Sequence, residues 1–140
     1  MKTQILVIDG QGGQLGSQIV RELLAKFSDI QITAVGTNAV ATAAMLKAGA
    51  AKAASGENPV IVACRKADII VGPIGIVIAD SLMGEVTPAM AVAAGQSEAV
   101  RILIPVNKCE NMVAGVSSIS TSVLIQDAIA KIGQVIAAGS

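Results

Sequence analysis

Residues 7–20 read VIDGQGGQLGSQIV, an apolar run that breaks into four glycines before apolar spacing resumes. Gly10, Gly12 and Gly16 form G-x-G-x-x-x-G, and Gly13 with Gly16 adds G-x-x-G. Glycine tolerates positive φ and carries no Cβ, so such a turn lets the backbone come close to a phosphate. The helix that follows offers unpaired N–H groups and the positive end of its dipole. The alternative is a tight strand-to-helix corner that holds no ligand. Glycines alone do not choose between these; their place after a strand and before an amphipathic helix favours phosphate binding.

The chain on either side supplies that setting. Gln4 to Asp9 (QILVID) has the short apolar run of a buried parallel strand. Leu15, Ile19 and Leu23 fall on one helical line and Val20, Leu24 and Phe27 on the next, with Arg21, Glu22 and Lys26 outside. Ile30 to Val35 reads as a second strand, followed by a small-residue helix from Ala39 to Lys47 that Gly49 closes. A short third strand is expected around Ala51 to Ala54. Glu57-Asn58-Pro59 starts a helix that runs to about Lys66.

Asp68 to Val71 reads as strand four. Helical segments are expected on both sides of Thr87-Pro88, which breaks them. Arg101 to Val106 reads as strand five, and Met112 to Val116 as a short sixth. Ser120 caps a last helix whose Ile125, Ile129, Ile132 and Ile136 share one face. This alternation specifies an α/β fold: a single Rossmann-like domain over residues 1–140, three-layered and doubly wound, with a mainly parallel sheet of five or six strands.

Composition narrows the function. Hydrophobic residues make up 53% of the chain and charged residues 14%, against about 25% charged in a typical soluble domain. So little charge implies surface buried between subunits, and a homodimer or larger homo-oligomer is expected. Ten basic and ten acidic residues balance, and the only aromatic is Phe27, so no nucleic-acid partner is expected. No membrane partner is expected either: the charge-free stretch Ile69 to Ala79 is about 11 residues long, and a span needs about 20. The N-terminus shows no signal-peptide layout. Cys64 and Cys109 show neither metal spacing nor a disulfide framework, so no metal and a cytoplasmic setting are expected.

Candidate site residues cluster at predicted strand ends. Gly10, Gln11, Gly12, Gly13 and Gly16 would hold a phosphate. Thr37 and Asn38 would meet a sugar or base, or else one of them simply caps the next helix. A dinucleotide site with a free ribose carries an acid at the end of the second strand, about 20 residues on. Gly36-Thr37-Asn38 stands there instead, so NADP is favoured over NAD if the ligand is a dinucleotide. Gly72, Pro73 and Gly75 would line the pocket or form a turn, and Asn107 with Lys108 would meet the distal end of the ligand.

Lys108 and Cys109 are the candidates for chemistry, Cys109 as a nucleophile if its neighbour lowers its pKa. The chain has no His and no Tyr, which leaves Asp9, Glu57, Asp80 and Glu85 as carboxylate candidates. Asp9 reads as orienting the glycine turn through backbone amides. Asp80 to Glu85 reads as a lid or as a solvated helix end.

Six blocks together carry a resemblance: Ile8 to Gly13, Gly36 to Ala39, Met45 to Ala50, Gly56 to Asn58, Gly72 to Gly75, and Ile104 to Cys109. Through them nearly the whole chain resembles a family of small bacterial proteins, domain-of-unknown-function family thirty-eight forty-two. The resemblance implies a Rossmann-like fold and a bacterial cytoplasmic setting, and it implies that the blocks belong to one site. It carries no activity. The expected function is binding of a nucleotide or other phosphate-bearing small molecule. The alternatives are a small NAD(P)-type oxidoreductase or transferase using the same pocket, and a structural or regulatory homo-oligomer with no ligand.

Overall fold

The computed structural model describes residues 1–106 and 111–139. From the N-terminus come β1 (Thr3–Asp9), α1 (Gln14–Lys26), β2 (Ile30–Gly36), α2 (Ala39–Ala48) and β3 (Lys52–Ser55). Then follow α3 (Glu57–Lys66), β4 (Ile69–Pro73), one 3-10 turn (Ile74–Val77), α4 (Pro88–Gln96), β5 (Val100–Ile104) and α5 (Thr121–Ala138). The five strands make one parallel sheet in the order β3-β2-β1-β4-β5.

Side chains alternate between the two faces of this sheet, as the pleat requires. Ile5 and Val7 of β1, with Ile69 and Val71 of β4, pack under Ile19 and Leu23 of α1, Met45 of α2, and Ile129 and Ile132 of α5. Leu6, Ile8 and Ile70 pack on the other side with Val60 and Cys64 of α3 and Met90 and Ala94 of α4. The chain therefore winds outward from β1 in one direction and from β4 in the other, which gives the three-layer, Rossmann-like arrangement. The crevice at the carboxyl ends of β1 and β4 is the switch point where ligands enter such sheets.

Two expectations from the sequence are corrected. Thr87-Pro88 does not break a helix but begins one: Thr87 Oγ1 accepts the Met90 N–H at 3.1 Å, and Pro88 occupies the first turn, where an N–H has no partner to lose. Before it lies no α-helix, only the 3-10 turn and a compact segment, 78–86. Met112 to Val116 is not a sixth strand. The Val116 N–H closes a turn on the Val113 carbonyl, and Gly115 takes a positive φ of 82°, so the segment bends instead of extending. Among the described residues no helix is long and apolar enough to cross a membrane.

Candidate anion site at the glycine turn

Asp9 ends β1 with its side chain only 6% exposed. Its Oδ1 accepts the Gly10 N–H at 2.8 Å and its Oδ2 the Gly16 N–H at 2.7 Å, so one carboxylate fixes both ends of the turn. Burial pushes the Asp9 pKa up, the two backbone donors pull against that, and the nearby Glu85 charge adds to the rise. Asp9 thus orients the turn through backbone amides, as its position suggested.

The glycines divide by what surrounds them. Gly13 sits in the left-handed region at φ 74°, and a Cβ there would lie 2.7 Å from the Ala41 Cα. A Cβ on Gly10 would crowd Thr37, Glu85 and Leu82, and one on Gly16 would crowd Met45 and Asp9. These three are required by the packing of the chain on itself. Gly12 differs: its φ is not positive, and a Cβ there would meet nothing within 4 Å.

Unpaired donors gather beside Gly12. The Gly13 N–H is used by the Gly10 carbonyl and the Ser17 N–H by the Gly13 carbonyl. The N–H groups of Gly12, Gln14 and Leu15 meet no acceptor among the described residues. These residues line a cavity of about 600 Å³ together with Asp9, Gly10, Gln11, Gly13, Gln18, Val106, Thr121 and Ser122; the Asp9 carboxylate there is already held by the Gly10 and Gly16 N–H groups. Thr121 and Ser122 open α5. Ser120 covers the Val123 N–H with its Oγ and the Leu124 N–H with its carbonyl, which leaves the Thr121 and Ser122 N–H groups without an acceptor among the described residues. Two helix starts therefore border one cavity at the switch point, and their unpaired N–H groups and dipoles favour an anion. Cavities of comparable size at the opposite edge are lined by the last turns of α3 and α4, or by the chain start and the end of α5, where helix dipoles disfavour an anion.

A carboxylate does stand at the end of β2, although β2 does not supply it. Glu85 Oε1 accepts the Gln11 N–H at 2.8 Å, the Thr37 Oγ1–H at 2.7 Å and an Asn38 Nδ2–H at 2.8 Å. Partial burial pushes the Glu85 pKa up, but these donors outweigh it and hold it below the ordinary glutamate value. Asn38 also donates to the Gln11 carbonyl at 3.0 Å and caps α2 by accepting the Ala41 N–H at 2.8 Å. The polar groups of Thr37 and Asn38 thus serve the chain itself.

Gly72, Pro73 and Gly75 lie apart from the cavity. Gly72 and Pro73 are buried in β4, where a Cβ on Gly72 would run into the Ile8 carbonyl. Gly75 is buried in the 3-10 turn, and its carbonyl accepts the Ser81 hydroxyl. Asn107, Lys108 and Cys109 lie outside the described residues. Cys64 is buried against α4, and burial pushes its thiol up to about 11.

Gln14, Gln18, Thr121 and Ser122 escaped the sequence reading. The Ser120 cap marks where α5 begins, but only the strand order shows that this start returns to the glycine turn. No curated protein matches the chain. A family model described as Domain of unknown function (DUF3842) matches residues 4–137, and the chain belongs to that family.

Proposed function

We propose that this chain binds a phosphate-bearing small molecule at the glycine turn. The N–H groups of Gly12, Gln14 and Leu15 take the phosphate, those of Thr121 and Ser122 assist, and Gly10, Gln11, Gly13 and Gly16 set the shape of the turn. The observation that carries this reading is Gly12. A corner without a ligand accounts for Gly10, Gly13 and Gly16, each packed against its own chain, whereas Gly12 borders the cavity with, among the described residues, its N–H unpaired and no part of the chain where a Cβ would lie. Close approach of a ligand there calls for a residue without a side chain. Gly12→Val tests it: thermal-shift titration with phosphorylated compounds should show stabilisation of the wild type and none of the variant. Equal stabilisation of both would remove the reading.

The same chain is proposed to work as a homo-oligomer in the cytoplasm. Val123 on α5 is 56% exposed, and Val40 and Leu46 on α2 are also exposed, on the layer that carries both helices. Apolar side chains on the outside of a chain with 14% charge favour contact between copies. The buried free thiol of Cys64 suits a reducing compartment.

A further inference from the structure

We infer that the ligand is a compact phosphate ester with no nucleoside attached, because segment 78–86 fills the place beside Gly10 and the end of β2 where a nucleoside would lie, and that Glu85 sets this selectivity. The inference rests on phosphate binding at the glycine turn and narrows the class of ligand.

In doubly wound sheets a nucleotide lays its phosphate on the first helix and its ribose against the end of the second strand. Here that second place is occupied. Leu82 is 3% exposed, and a Cβ on Gly10 would lie 2.9 Å from both Leu82 Cδ1 and Glu85 Oε1. The groups that would read a sugar or base, the Thr37 hydroxyl and the Asn38 amide, already donate to Glu85. The carboxylate also consumes the Gln11 N–H and sets a negative charge on the β2 side of the turn, against any second phosphate.

The segment is built to stay. The Asp80 N–H bonds the Val86 carbonyl at 2.7 Å, the Val86 N–H returns to the Ser81 carbonyl at 3.2 Å, and the Ser81 hydroxyl is anchored on Gly75. Leu82 and Met83 take φ of 54° and 57°, left-handed backbone that such residues rarely adopt, within a turn closed by the Gly84 N–H on the Asp80 and Ser81 carbonyls. What is left open lies on the other side of the turn, between Gly12 and the start of α5. Among the described residues that space offers backbone, hydroxyl and side-chain amide donors beside the Asp9 carboxylate and the apolar Leu15 and Val106, and no aromatic surface on which a base would stack.

Isothermal titration of the full chain with inorganic phosphate, ribose 5-phosphate, AMP, NAD and NADP tests this. AMP carries adenine where ribose 5-phosphate has its anomeric hydroxyl. AMP should bind no tighter than ribose 5-phosphate, and both dinucleotides more weakly. AMP or a dinucleotide binding more than about threefold tighter than ribose 5-phosphate would overturn the inference while leaving the phosphate site standing. No binding of any probe would remove the phosphate site, and the inference with it. Glu85→Ala releases Thr37, Asn38 and the Gln11 N–H, so the affinity of AMP relative to ribose 5-phosphate should rise by about threefold or more. A folded Glu85→Ala chain with an unchanged ratio would refute the role of Glu85. Should that variant not fold, Glu85→Gln, which keeps the shape and removes the charge, should raise the affinity of the dinucleotides relative to ribose 5-phosphate, and an unchanged ratio would refute the role of Glu85.

Discussion

The Glu85 carboxylate accepts the backbone N–H of Gln11 at 2.8 Å, joining the glycine turn to a segment 74 residues further along the chain. The same oxygen holds Thr37 and Asn38, so the ends of β1 and β2 and the approach to α4 form one hydrogen-bonded unit.

That unit makes stability depend on pH in a defined direction. The folded pKa of Glu85 lies below its unfolded value, so its contribution is present above the unfolded pKa and is lost as pH falls through the folded one. Glu85→Gln keeps the shape and removes the charge, which should cost about 1 kcal/mol near neutrality. Melting curves should show the gap between wild type and variant closing below about pH 4. Asp9 works in the opposite sense: its folded pKa is raised, so protonating it favours the fold as pH falls. A gap that stays constant down to strong acid would mean that the Glu85 charge contributes nothing.

Asp9 should be the more damaging position to lose. Asp9→Ala strands the buried N–H groups of Gly10 and Gly16, each worth about 1–3 kcal/mol when left without a partner. Relief from burying the carboxylate offsets part of this. Chemical denaturation should give a net loss larger than that of Glu85→Gln, with Asp9→Asn between wild type and alanine because one oxygen still accepts. Equal stability of Asp9→Ala and wild type would show that the turn holds its shape without the carboxylate.

The glycines should separate fold from binding. Gly12→Val faces open space and should melt close to wild type. Gly13→Ala forces a side chain into the left-handed region and against the Ala41 backbone. It should lose about 2 kcal/mol or more. If Gly12→Val were the less stable of the two in calorimetry, the surroundings assigned to the turn would be wrong.

The fold was legible where periodicity was strong. The continuous apolar run in QILVID and the isoleucine face of the last helix both survive in β1 and α5, because burial on both faces of a parallel strand and on one face of a helix demands those patterns. Residues 74–87 were not legible. Their apolar content suits a helix, yet Gly75 and Gly84 and the anchoring of Ser81 and Glu85 turn them into a compact segment. Glu85 could not be placed for the same reason: its three donors come from parts of the chain that only the strand order β2-β1-β4 brings together. The role of Asp9 was legible because its partners, the Gly10 and Gly16 N–H groups, are local.

Assembly is open to a direct check. Val123→Glu places a charge on an exposed apolar position of α5, where burial against a second copy would leave it unpaired. Light scattering coupled to size exclusion should show a larger species for the wild type and a smaller one for the variant. A wild-type monomer at high micromolar concentration would give the low charge content another cause.

A bound phosphate is expected between the starts of α1 and α5. Nuclear magnetic resonance titration of the labelled chain with inorganic phosphate reads this residue by residue. Saturable shifts should concentrate on the amides of Gly12, Gln14, Leu15, Thr121 and Ser122, and should vanish in Gly12→Val. Amides that do not respond, or a response centred away from the glycine turn, would contradict it.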